Sequence, residues 1–228
     1  MTLRSRIERL YERHEAEFLG RPEVQAVLAG TASREAYEQF VENVVRTHLK
    51  SSQLVAFLYA LAPPASAESR LQNLMEELSH PGLLRQFAAG AGLAHRLPEL
   101  EAQAVDDIRR VVADPILYGS LKELGLAALT EIVAFEHMLS RTAGQVAAAL
   151  ATHRHLSART LAWWTEHAEV DRQHAEEGLT DLETYVRFYE IDAEDAQAIV
   201  EMTLRENVFV KRYLGEGPAA RARAERAA

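Results

Sequence analysis

The sequence predicts an all-α protein built as one domain. Three observations carry that reading. Apolar residues recur at three- and four-residue spacing through most of the 228 residues, as in Leu3, Ile7, Leu10 and Tyr11, then Phe40, Val41, Val44 and Val45. No stretch alternates apolar and polar residues for long enough to make a strand. Helix-start and helix-stop residues divide the chain at short intervals, without a low-complexity linker or a shift in composition.

The elements follow in order. A charged amphipathic helix is expected over residues 2–18, closed by Gly20 and Pro22. A short helix over 22–29 ends at Gly30, and Thr31 and Ser33 offer a cap for a long helix over 33–61. Pro63 and Pro64 end that helix. Ser66 then precedes a helix over 66–90, which Pro81 should kink or interrupt. Helices over 98–113 and 115–150 flank Asp114 and Pro115. The second of them is long and contains Gly119, Gly125 and Gly144, so a bend is expected. Helices over 157–189 and 193–214 complete the domain, taken as residues 1–216. The Ala/Arg-rich residues 217–228 are expected to fray into a disordered tail.

Composition narrows the chemistry before any motif is read. The chain has 34 acidic and 25 basic residues, nine His and no Cys, for a net charge of −9. A nucleic-acid partner is not expected, because phosphate neutralisation needs a basic face. Absence of Cys excludes a disulfide framework, a thiolate metal site and a cysteine nucleophile. The longest apolar run, near Leu54–Pro64, is about half of the roughly 20 residues a spanning helix requires. The charged N-terminal stretch lacks a leader pattern, so a cytoplasmic protein without a membrane partner is expected. Any bound metal must be held by carboxylates and imidazoles.

Two segments supply such ligands. His167, Asp171 and His174 stand at i, i+4 and i+7, on one stripe of a helix. Glu77 and His80 stand at i and i+3, an acid-x-x-His step of the kind used by helical di-iron and di-manganese bundles, with Glu76 as a competing carboxylate. Asp171 and His174 repeat that step with aspartate. A dinuclear site also needs carboxylates from other helices. Glu42 and Glu136 each lie 35 residues before an acid-x-x-His step, among apolar neighbours where a lone acid is costly. Glu42 has a second reading, an ion pair with Arg46 at i+4. Arg46 and Lys50 are surface ion-pair residues or anchors for a substrate carboxylate. His48, His95, His137, His153 and His155 read as surface or capping residues. Trp163 and Trp164 read as core or pocket lining. Seven candidate ligands result: Glu42, Glu77, His80, Glu136, His167, Asp171 and His174. An oxygen and nitrogen set without sulfur suits iron or manganese.

The residues together resemble the haem-oxygenase-like di-iron oxidases, a branch of the TenA/PqqC-like superfamily. The resemblance spans roughly residues 20–185. It runs through Gly30 to Phe40, Asn73 to Glu77, His80 to Gly92, Val133 to Glu136 and the His167–Asp171–His174 stripe. It implies an up-and-down bundle of about seven to eight helices around a buried site, and a homodimer. It also implies two Fe(II) ions, the second weakly held, that activate O2 to oxidise a small organic acid or amino-acid-like substrate, with an external electron donor. The outcomes in this group include oxidative decarboxylation with desaturation, N-oxygenation and C–C cleavage. The three-residue Glu77–His80 spacing is similar to that of the branch that decarboxylates medium-chain fatty acids. TenA-type thiaminases use a cysteine that this chain lacks. A cofactor-free oxidase or hydrolase of the same fold, and a ferritin-like or haem-binding protein, are the competing readings; His14 would be the axial ligand for haem.

Overall fold

The computed structural model describes residues 2–113, 119–205 and 209–215, and the expected tail over 217–228 lies outside them. The described residues are helical throughout, with no strand. The helices are α1 (Leu3–Leu19), α2 (Pro22–Leu28), α3 (Arg34–His48), α4 (Ser51–Ala60), α5 (Ala67–Glu77) and α6 (His80–Gly90). A 3-10 turn (Ala94–Arg96) leads into α7 (Leu97–Ala113), followed by α8 (Leu121–Arg154), α9 (Ala162–Phe188) and α10 (Ala193–Leu204). A π-helical turn (Val210–Leu214) follows. None of the described helices is long and apolar enough to cross a membrane.

Caps set several boundaries. The Thr2, Ser33, Ser120 and Asp192 side chains accept backbone N–H groups at the starts of α1, α3, α8 and α10. His155 ends α8 in the left-handed region, at φ 53°.

Three expected helices are divided. The 33–61 segment breaks where Lys50 leaves helical geometry, at φ −122° and ψ 18°, and a new helix opens at Ser51. The 66–90 segment breaks at Leu78 and Ser79. Pro81 then sits in the first turn of α6, where its missing N–H costs no helical bond. The 193–214 segment stops at Leu204. Leu204 and Phe209 are both fully buried, yet five residues apart they would point roughly 140° apart on a continuous α-helix. The helix expected over 115–150 starts later and ends later, at Leu121 and Arg154, with residues 114–118 outside the description. The one expected over 157–189 begins at Ala162 after a capped turn at Ser157.

The paired α8 and α9 form the spine, and α1, α2, α4 and α10 pack on α8 while α6 packs on α9. Apolar residues on all sides of α8, among them Leu126, Val133 and Met138, have no exposure, as expected of a helix surrounded by others. Trp163 and Trp164 of α9 are core residues that meet edge to face at 4.9 Å. Burying each aromatic side chain contributes about 1.5–3 kcal/mol.

This packing leaves two polar stripes facing each other. One is Ser66, Arg70, Asn73 and Glu77 along α5 and its N-cap, and the other is His167, Asp171, His174, Gly178 and Asp181 along α9. Arg70 and Asp181 close one end with a buried ion pair at 2.5 Å. Glu77 and His167 lie at the other.

Candidate metal centre

Glu77 ends α5 and His80 begins α6, so the break at Leu78 and Ser79 lies between the two residues of the first acid-x-x-His step. Both still face inward. His80 Nδ1 lies 2.9 Å from Glu77 Oε1, and the His80 and His167 rings are 4.5 Å apart. Glu77, His80 and His167 offer ligand atoms all within 4.8 Å of one another. His167 Nδ1 donates to the Trp163 carbonyl at 2.7 Å, which leaves Nε2 as the ligating nitrogen. Ser51 Oγ donates to Glu77 Oε2 at 2.5 Å.

A second group adjoins the first. His174 Nδ1 lies 3.4 Å from Asp171 Oδ1, and the charge of Glu136 acts on both residues. Asn73 Nδ2 donates to Glu136 Oε1 at 3.1 Å. Glu77 links the groups, since its charge also reaches Glu136 and Asp171. Gly178 makes room for this arrangement. A Cβ there would lie 2.7 Å from Val133 Cγ2 and 3.3 Å from Glu136 Oε2.

Of the seven expected ligands, Glu77, His80 and His167 are thus brought within ligating reach of one another, the one such group among the described residues. Asp171 and His174 lie in contact beside it, and Glu136 is near enough for its charge to act on both, a looser second trio. Glu42 is not brought to them. Arg96 of the 3-10 turn holds it, with Nε 3.2 Å from Oε1 and Nη2 donating to Oε2 at 3.4 Å. The reason is the face of α3: Val41, Val44 and Val45 fill the core, leaving Glu42 on the side towards Arg96. The suggested Arg46 partner is likewise replaced, because Arg46 makes a two-pronged pair with Asp107 at 2.6 Å for both bonds.

Other expectations also change. His48 and His137 are buried and are not surface residues. His48 is what α3 contributes near the centre, since the charges of His167, Glu77 and His80 all act on it. His137 faces Glu15 at 3.4 Å. His95, His153 and His155 are exposed. His14 is buried and lies 3.5 Å from Glu17. Glu76 pairs with His174 Nε2 at 2.8 Å and not with His80. Asn73 and Ser51 orient ligands, and no local motif marked them for that role; only their place on the inward stripe or at a helix start identifies them.

Electrostatics divide the trios. Burial would raise the Glu77 carboxyl, but His80 and the Ser51 hydroxyl bring it down to about 2. Burial, reinforced by His80, lowers His167 to about 4, so it is a neutral imidazole ready to ligate. Burial also acts to lower His80, but Glu77 outweighs it and the net shift is upward. In the second trio burial raises Asp171 to about 7 and lifts Glu136. Burial opposes protonation of His174, yet Asp171, Glu136 and Glu76 raise it to about 9.

A divalent cation fits this donor set. His80 Nε2, Glu136 Oε2 and Asp171 Oδ2 are buried without a hydrogen-bond partner among the described residues. Each such atom ordinarily costs about 1–3 kcal/mol. Three of them among three carboxylates and three imidazoles of opposite protonation demand make a site that a metal would complete. Ligation requires deprotonated His174 and Asp171. Metal loading at pH 7 is therefore expected to release at least about one proton per chain. Affinity should rise with pH towards 9, most steeply for the second trio. Anaerobic Mn(II) titration in weakly buffered dye solution reads both effects, and pH-independent binding without proton release would contradict them.

A family model described as an iron-containing redox enzyme matches residues 38–206, which include every residue of both trios. The fold is similar to that of a TenA homolog from Pseudomonas syringae pv. tomato, with a TM-score of 0.69 over 93% of this chain and 92% of that one, at 14% identity. No curated protein matches the chain. With the family model covering most of its length, the chain belongs to the haem-oxygenase-like family of iron-containing redox enzymes.

Proposed function

We propose that this protein is a non-haem di-iron enzyme that activates O2 to oxidise a small organic acid or amino-acid-like substrate. The observation that carries the reading is the Glu77, His80 and His167 cluster, with Asp171 and His174 in contact beside it, Glu136 within reach of their charge, and three partnerless ligand atoms among the six residues. Glu77, His80 and His167 would hold one Fe(II), and Glu136, Asp171 and His174 the other, with manganese as a substitute ion. When bound, the two ions supply the electrons and the open positions at which O2 reacts, and an external donor restores them.

The chain's own residues do the rest. The Trp163 carbonyl fixes the His167 tautomer, while Asn73 and Ser51 hold the Glu136 and Glu77 carboxylates in place. Trp163, Val133 and Phe135 exclude water from one side. His174 has carboxylates on both nitrogens and must give one up to ligate. Glu76 is the partner to lose, being more than a third exposed while Asp171 is buried. The weaker hold expected for the second ion follows from that exchange and from the protons this trio carries.

An oxygen-electrode assay tests the proposal. Protein loaded anaerobically with Fe(II) should consume O2 faster when its substrate is among a panel of medium-chain fatty acids, aromatic acids and amino acids. Turnover that persists undiminished in a strong chelator would overturn the reading in favour of cofactor-free chemistry.

A further inference from the structure

The cluster of His48, Trp163 and Tyr213 is not needed to hold metal, yet it joins the metal centre to a buried phenol. The His167 and Trp163 rings are 4.2 Å apart, and the Trp163 and His48 rings 4.9 Å. His48 Nε2 is 2.6 Å from the Tyr213 hydroxyl. Trp163, His48 and Tyr213 are all buried, with exposures of 0%, 8% and 1%. We propose that Tyr213 is a second redox site, which passes one electron through Trp163 to the oxidised iron centre and its phenolic proton to His48.

The step balances. The Tyr213 O–H bond breaks and leaves a neutral phenoxyl radical. His48 Nε2 gains the proton, and a ferric or higher-valent iron centre, formed by reaction with O2, is reduced by one electron. Electron and proton leave together because neither charged alternative is accessible. Burial, and then the charge of Asp171, keep the phenol from ionising first. The proton acceptor is in place, because burial and the neighbouring His167 lower His48 to about 3 and leave it neutral. His48 is the only described hydrogen-bond partner of the phenol oxygen, so the Tyr213 O–H donates and the His48 proton resides on Nδ1.

The same bond is dispensable for anchoring the C-terminal turn. Asn43 Nδ2 donates to the Tyr213 carbonyl at 3.0 Å, Thr47 Oγ1 to the Arg212 carbonyl at 3.3 Å, and Arg212 Nη2 to Glu131 Oε1 at 2.9 Å. Phe18, Phe40 and Phe135 pack around the ring. These contacts survive in Tyr213→Phe, which separates a redox role from a packing role.

This inference rests on the iron- and O2-dependent reading above, and the experiment tells the two apart. Protein loaded with Fe(II) and exposed to O2 without substrate is freeze-quenched for electron paramagnetic resonance, with O2 uptake followed in parallel. The wild type should show a tyrosyl radical whose hyperfine splitting collapses on incorporation of ring-deuterated tyrosine. The signal should be lost in Tyr213→Phe, with iron uptake, O2 uptake and thermal unfolding retained. Trp163→Phe, which keeps the carbonyl that orients His167, should delay the signal. Normal O2 uptake without a radical, or a radical that persists in Tyr213→Phe, overturns the inference alone. Failure to take up iron overturns the di-iron reading and this inference with it.

Discussion

Replacing Glu77 by alanine is expected to remove both metal ions, not one. Glu77 lies within 4.8 Å of ligand atoms on His80 and His167, and its charge also reaches Glu136 and Asp171. Its loss therefore takes a ligand from the first trio and leaves the second trio short of neutralising charge. The effect should exceed the roughly 10–100-fold loss of metal affinity that follows removal of a residue orienting a ligand. His174→Ala, by contrast, should leave one ion in place. Metal analysis after anaerobic loading and desalting separates the two variants. Equal stoichiometry in both would show that Glu77 is not shared.

Glu136→Leu should move function and stability in opposite directions. In the metal-free protein Glu136 Oε2 is buried without a partner among the described residues, and burial raises its carboxyl above the ordinary carboxylate value. Leucine has similar bulk and no polar atom to satisfy. Combined with Asn73→Ala, so that the Asn73 amide is not left without its acceptor, the metal-free variant should therefore be more stable than the wild type by about 1–3 kcal/mol in urea unfolding. It should also lose the second ion and substrate-triggered O2 consumption. Were Glu136 a structural ion-pair residue, the same change would destabilise the protein, because Arg70 would lose a counter-charge. Asn73→Ala, which removes only the donor to Oε1, should weaken the second ion by roughly 10–100-fold with little change in fold.

Much of this was legible in the sequence, for reasons that are local. Helical spacing put His167, Asp171 and His174 on one stripe, and one stripe is what α9 presents. Pro81 signalled the break that separates Glu77 from His80 without saying that both sides would still converge. The all-α class needed only periodicity. What could not be read depends on partners distant in the chain. Glu42 and Glu136 look alike in sequence, each an acid among apolar neighbours that include a phenylalanine. They differ because Arg96 meets one and Asn73 the other. His48 passed for a surface residue because its partners, Trp163 and Tyr213, are more than a hundred residues away. The break at Lys50 carried no proline or glycine.

The central claim is that the two trios hold two iron ions. Anaerobic Fe(II) titration of the wild-type protein at pH 8, read by metal analysis and Mössbauer spectroscopy, addresses it most directly. The account predicts saturation at two Fe(II) per chain, in two steps, with a weaker second step that His174→Ala abolishes. Saturation at a single ion, or two-ion loading untouched by His174→Ala, would contradict it.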